Sequence, residues 1–515
     1  MTRNRTSPAE RPPLASPLRV VIVTLDNHLA GTAERAQARF AREGLPIRIS
    51  FHAASDWEGA PDKLAATRAA IAEGDIVIAT MLFLDEHIRA VLPALEARRE
   101  QCDAMLGLMS GAEVVKLTRL GQYRMDAAPS GPLALLKKLR GSAKPGQSSG
   151  AGQMKILRAL PKLLKWLPGS AQDVRAYFLT LQYWLAGSDD NFVAMIRALV
   201  DRYAAGDRAA LRGATPAAPP AEYPEVGVYH PDMKGRMSES LRLLPPAKGK
   251  GGTVGLLLLR SYVLGRDSAH YDGVIRALEA RGLRVIPAFA SGLDQRPAIE
   301  RFFMERGRPT IDALVSLTGF SLVGGPAYND RDAAEEILAK LDVPYVAAHP
   351  LEFQSLQHWG KGTAGLTPVE ATMMVAIPEL DGATVPTIFG GRSDGSAEPC
   401  MGCSRRCVHP SSGLAREMLP CPERAEALAA RIARLVALRR REAADRRVAI
   451  VLFNFPPNAG AVGTAAYLSV FESLWNTLKA LKESGHRVDL PASVEALKAA
   501  ILEGNRARYG AEANV

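Results

Sequence analysis

Four thiols are the residues best placed by type and spacing to do chemistry. Cys400, Cys403 and Cys407 fall within EPCMGCSRRCVHP (398–410), Cys421 follows in LPCPE, and the whole chain has 5 cysteines. The spacing C-x2-C-x3-C lets one tight turn bring three thiolates to a metal or to separate corners of a cluster. Cys421, after a further span, would be a fourth ligand. Four thiolates suit a [4Fe–4S] cluster or structural zinc. Arg405 and Arg406 would offset the anionic charge, and His409 is a substitute ligand. The plainer alternative is a loop of reduced, free thiols, although exposed thiols together oxidise readily. Clustered thiols in a chain of 515 residues do not make a secreted disulfide framework. They point instead to a reducing, cytoplasmic setting, and to a regulatory or oxygen-sensing role rather than a catalytic one.

A second candidate is LFNFPPNAGAVGTA (452–465), which runs from the end of an expected strand into a helix. Ligands of open α/β sheets sit at such places. Asn454 and Asn458 could hydrogen-bond a ligand, Gly460 and Gly463 would allow close backbone approach, and the helix start would favour an anion. VSLTGFSLVGGPA (315–327) has similar character. AAHPLEFQSLQHWGKGTAGLTPVEATMM (347–374) holds His349, Glu352, His358, Trp359 and Glu370. The His349 imidazole could move a proton and the Trp359 ring could stack on a flat aromatic ligand. The bland reading of each is a structural turn or strand-end packing. GxxxxGK[ST], HExxH and a GxGxxG after the first strand are all missing, so neither phosphoryl nor hydride chemistry is expected of the chain itself.

These residues must be held by a fold. Apolar residues are 47% and charged residues 23% of the chain, a globular composition. The net charge is +10, but the basic residues are spread along helices such as RIARLVALRRREAADRR (431–447), so no nucleic-acid partner is expected. No run of ~18 apolar residues predicts a transmembrane segment.

Residues 1–17 read as a flexible polar leader. In 18–135 the apolar runs LRVVIVTLD, PIRISFHAA, DIVIATMLF and DAMLGLMS alternate with helices, which predicts a Rossmann-like or flavodoxin-like α/β domain with a parallel sheet. A linker and helical insertion occupies 136–212, with Trp166, Tyr177, Phe178, Tyr183 and Trp184 at core spacing. A Pro/Gly-rich linker covers 213–252 and a second α/β domain 253–398. The Cys-containing loop and a helix take 399–445. Residues 446–515 read as the start of a further α/β domain, with strands in RRVAIVLF and HRVDLP. Such strands need more neighbours than the segment supplies, so the chain is expected to be the N-terminal piece of something longer.

VVIVTLDNHLAG (20–31), LVSLTGFSLVGGPA (314–327) and VAIVLFNFPPNAGAVGTAAYLSVFESLWNTLKAL (448–481) resemble the large H subunit of magnesium chelatase. The resemblance runs over nearly the whole chain, and the last string is its most specific part. It implies the porphyrin-binding subunit of an enzyme of chlorophyll and bacteriochlorophyll synthesis. That enzyme inserts Mg2+ into protoporphyrin IX while ATP is hydrolysed by two separate ATPase-type subunits. The family's metal-handling residues have no matching positions here, so this piece is expected to be inactive alone. The cobalt chelatase large subunit is a relative and the enzyme-class alternative; the initial domain and its helical insert favour the magnesium branch. A non-enzymatic binding or redox-sensor protein is the alternative from another class.

Overall fold

A computed structural model describes residues 16–57, 59–127, 159–214, 216–247, 249–325, 328–409, 417–453, 462–463 and 465–509. It divides into two compact units, Met1–Ala433 and Arg434–Val515.

In the first unit the apolar runs make two sheets. The strands Leu18–Thr24, Ile76–Thr80 and Ala104–Leu108 are buried almost throughout, as parallel strands covered on both faces must be. With Ile47–Ala53 at the edge they lie in the spatial order 47–53, 18–24, 76–80, 104–108, all parallel, and short antiparallel strands continue the sheet. This is the flavodoxin-like order. Pro61 opens the helix Pro61–Glu73 where its missing N–H costs nothing, and Gly74 caps the end.

The helices Ser170–Leu185 and Asp189–Tyr203, expected as an insertion, pack on this sheet. Trp184, Phe192 and Ile196 share one core with Leu18, Val20, Ile22 and Phe40. They are the second helical layer of the first α/β lobe. Trp166 departs from the expected core set, being 82% exposed.

The second lobe has an eight-stranded sheet in the order Met418–Pro420, Thr384–Arg392, Tyr345–Ser355, Ala313–Ser316, Thr253–Leu259, Arg284–Ala290, Val226–Tyr229, Met237–Ser238. The strands from 384–392 to 284–290 are parallel, again in flavodoxin-like order. Antiparallel strands close both edges. Two of them, Val226–Tyr229 and Met237–Ser238, come from the expected linker 213–252, and Met418–Pro420 comes from the Cys-containing region.

The second unit has the helices Val470–Glu483 and Val494–Tyr509, with Trp475 Nε1 donating to Pro491 O at 2.9 Å. The strands expected near 448–453 and 486–490 do not form among the described residues. A strand exists through its ladder, and among the described residues neither segment joins one. Val448, Ile450 and Phe453 are exposed, and Val451 is 92% exposed. Limited chymotrypsin digestion is therefore expected to cut at Phe453 and Tyr467 well before the sheet strands 76–80 or 313–316. A band pattern in which 446–515 outlasts those strands would contradict this. No helix among the described residues is long and apolar enough to cross a membrane.

Candidate functional site

The strand Thr384–Arg392 delivers the chain into the cysteine loop. Pro399 and Val408 form an antiparallel bridge, and Cys400 N–H donates to Cys407 O at 2.8 Å, closing a hairpin. Cys403 Sγ lies 3.8 Å from Cys407 Sγ. Pairing of Met418–Pro420 with Thr384–Arg392 brings the chain back, so that Cys421, at the start of the helix Pro422–Arg440, donates its N–H to Phe389 O at 3.0 Å. The sheet edge thus gathers the four thiols, with Cys400, Cys403 and Cys421 buried and Cys407 half-buried.

Burial pushes the Cys421 thiol up to about 12, with the neighbouring thiols adding to it. Burial also opposes ionisation of Cys403, but hydrogen bonds from the Cys407 backbone and from the Cys421 and Cys407 thiols more than offset it and lower its pKa. The thiol contacts therefore single out Cys403 as the group that ionises first. Among the described residues, no group of three or more His, Cys, Asp or Glu side chains is set at metal-holding geometry. The thiols neighbour one another without converging on a point.

The Arg405 guanidinium forks onto Glu426 at 2.6 Å and still favours the Cys407 thiolate by its charge, as expected, while Glu423 holds the Ser404 and Arg405 backbone. Arg406 sits in the left-handed region at φ +46°. Arg424, not singled out in the sequence, is the inward cation. Its Nη2 donates to Gly402 O at 2.6 Å and its guanidinium lies 4.4 Å from the Trp359 ring centroid. A Cβ on Gly402 would run into that ring, so only glycine fits. Trp359 is thus a wall of the cysteine loop, with one face stacked on Arg424. His409 is buried, and its Nε2 has no partner among the described residues; Ser393 Oγ donates to its carbonyl at 2.8 Å.

His349 is elsewhere, in the strand Tyr345–Ser355, and 2% exposed. Burial pulls its pKa down to about 4, so the ring is neutral at ordinary pH, and neither ring nitrogen has a partner among the described residues. Glu370 completes a capping box with Thr367 and accepts from Phe353 N–H at 3.3 Å, a structural role. His358 is exposed. Asn454, Asn458 and Gly460 lie outside the described residues. Gly463 belongs to the second unit, at φ +69°, with its N–H donating to Phe453 O at 2.7 Å.

A further constellation was not anticipated. Arg392, 3% exposed, donates to Glu352 at 2.6 Å and to the Tyr262 hydroxyl at 3.3 Å, and lies 3.6 Å from Asp267. Asp26 and His28, from the loop after the strand Leu18–Thr24, form an ion pair beside it. Of these residues only Glu352 falls in a stretch with chemical character of its own, 347–374. The remaining members are hundreds of residues apart or in ordinary loops, and no spacing signals them.

The sequence profile described as CobN/Magnesium Chelatase matches residues 181–514, well over half of the chain. The chain belongs to the CobN/magnesium chelatase family. A profile described as a domain of unknown function, DUF3479, matches residues 19–178 of this family member. It is 54% identical over 497 residues to the magnesium-chelatase H subunit of Cereibacter sphaeroides, covering 96% of this chain and 41% of that protein. Against the chloroplastic magnesium-chelatase subunit ChlH of Oryza sativa subsp. indica it is 36% identical, covering 86% of this chain and 31% of that one. The aerobic cobaltochelatase subunit CobN of Pseudomonas aeruginosa is 29% identical over 55% of this chain and 21% of its own. In fold, the chain is similar to the catalytic subunit of cobaltochelatase from Mycobacterium tuberculosis, with a TM-score of 0.53 and 20% identity, over 95% of this chain and 33% of that one. The chain therefore spans about two-fifths of the length of the Cereibacter magnesium-chelatase H subunit, 41%.

Proposed function

We propose that this chain is the front part of the porphyrin-binding H subunit of a magnesium chelatase. The whole assembly inserts Mg2+ into protoporphyrin IX in the cytoplasm, for bacteriochlorophyll or chlorophyll synthesis. Two ATPase-type partner subunits supply the drive by hydrolysing ATP. The observation that carries this reading is the identity difference between branches: 54% over nearly the whole chain against a magnesium-chelatase H subunit, and 29% over 55% of it against CobN. The two lobes are flavodoxin-like sheets whose carboxyl edges are the usual ligand side of such folds.

We further propose that Cys400, Cys403, Cys407 and Cys421 hold a [4Fe–4S] cluster. The hairpin supplies three thiols on one loop and the returning edge strand supplies the fourth. Arg424 beside Cys400 and Arg405 beside Cys407 contribute positive charge that would offset the thiolates. Such a cluster would give the subunit a response to oxygen apart from the insertion chemistry.

A chimera tests the first proposal. These 515 residues replace the matching segment of the Cereibacter protein, and the chimera is mixed with the two partner subunits, ATP, Mg2+ and protoporphyrin IX. Magnesium porphyrin should form at a rate within about tenfold of the parent's, a difference of about 1.4 kcal/mol or less in barrier. The 515-residue chain in the same mixture should give none above background. A folded chimera that inserts cobalt but not magnesium would overturn the assignment in favour of the cobalt branch.

A further inference from the structure

The two α/β lobes of the first unit meet through equivalent loops, each following the strand at the turning point of its own sheet. From the first lobe come Asp26, His28, Thr32 and Arg35; from the second come Tyr262, Gly265 and Asp267. Thr32 Oγ1 and Arg35 Nη2 both donate to the Gly265 carbonyl, at 3.2 and 2.7 Å. A Cβ on Gly265 would lie 3.3 Å from His28 O, so the loops are in close contact. The His28 ring meets Tyr262 edge-on at 6.4 Å and Trp184 of its own lobe at 6.3 Å. Behind this seam stand Glu352 and Arg392. In open sheets this edge receives ligands; here the protein's own charged side chains occupy it.

We propose that the Asp26–His28 pair and the Arg392 cluster form a proton-controlled latch between the two lobes, shut at mildly acidic pH and released at alkaline pH. Charge balance carries the argument. With His28 and Asp267 protonated, two cations, Arg392 and His28, face two anions, Asp26 and Glu352. With both deprotonated, Arg392 alone faces three carboxylates, one of them on the opposite lobe. Uncompensated charge in a poorly hydrated seam is costly, and separating the lobes lets water in to relieve it.

The two titrations have the same sign. Burial raises the Asp267 pKa to about 6, in spite of Arg392. Burial opposes protonation of His28, but Asp26 more than offsets it and the pKa is raised. A group that binds its proton more tightly in the shut state favours that state below its free pKa and loses this contribution as pH rises through the shut-state value. Both contributions therefore disappear as pH rises past about 6 and then past the raised value of His28.

The other groups facing the cluster do not counter this. Burial and Arg392 keep His270 neutral, and burial keeps Tyr262 and Tyr271 protonated. Glu417, beside Asp267, adds negative charge. Arg35 and Arg266 pair with Asp189 at the outer rim. A small crevice lined by Asn27, Arg35, Arg266 and Glu417 includes Asp267 in its wall.

Hydrogen–deuterium exchange of the full chain tests the latch, with rates corrected for the intrinsic effect of pH. Between about pH 6 and about pH 8.5, protection of 25–35 and 260–268 should fall at least about tenfold, while the sheet strands 76–80 and 313–316 keep theirs. Asp267→Asn, which mimics the protonated carboxyl, should hold the seam protected to higher pH. His28→Gln should leave it poorly protected at both pH values. Seam protection independent of pH in the unaltered protein overturns the proposal, and that reading needs no variant to fold. Protection lost equally from the sheet strands, or an Asp267→Asn profile identical to the unaltered one, does the same.

Discussion

Cys403→Ser protein purified without oxygen should be colourless, whereas the unaltered protein should be brown and carry about four irons per chain. Cys403 is the informative position because the thiol contacts centre on it. It touches Cys407 at 3.8 Å, and hydrogen bonds from Cys407 and Cys421 favour its thiolate over burial. Thiolates are the ligands of iron, so the first thiol to ionise seeds assembly. The loop does not depend on that sulfur for its shape. Its anchors are Cys400 N–H on Cys407 O, Arg424 on Gly402 O, and Glu423 on the Ser404 and Arg405 backbone. Far-UV dichroism of the variant should therefore match the parent while iron and the thiolate-to-iron absorbance both vanish. Zinc in place of iron would make the site structural. Absence of any metal after anaerobic reconstitution would leave four plain thiols and end the cluster reading.

The sequence showed the sheets far better than what joins them. Runs such as VVIVT and IVIAT are apolar at every position because both faces of a parallel strand are covered, and a local pattern reports that fully. The edge strand Val226–Tyr229 lies in a Pro-rich stretch read as a linker; its strand character comes from antiparallel pairing with Arg284–Ala290, a long-range fact. The converse holds at 448–453, where the apolar pattern is strong but no strand forms among the described residues. Tyr177, Tyr183 and Trp184 were rightly read as core, yet nothing local told that their core is that of the first sheet. At the thiols, spacing pointed to neighbouring cysteines and to the charge of Arg405 beside Cys407, while Arg424 beside Cys400 had no local signal because its position depends on Gly402 and Trp359, supplied from elsewhere in the chain. The charged seam was invisible for the same reason, its members spanning 26 to 392.

Arg392→Met should be among the most damaging single substitutions in the first unit. The guanidinium is 3% exposed and is the only cation within reach of both Glu352, at 2.6 Å, and Asp267, at 3.6 Å, among the described contacts. Methionine fills much of the volume but leaves these carboxylates and Asp26 without their shared counter-charge. Removing one partner of a buried ionic cluster costs about 3–5 kcal/mol, most of it the penalty on the charges left behind. Calorimetry suits the measurement, because the chain has two compact units and a single transition need not report both. The transition of the larger unit should move to lower temperature, and by less as pH falls. Asp267, already raised to about 6 by burial, then keeps its proton and removes one of the stranded charges. The double variant Arg392→Met with Glu352→Gln should recover a large part of the loss, since the carboxamide can still accept from the Tyr262 hydroxyl. A loss below about 1 kcal/mol, or strict additivity in the double variant, would mean that Arg392 is neutralised by solvent and that the carboxylates around it are not stranded by its removal.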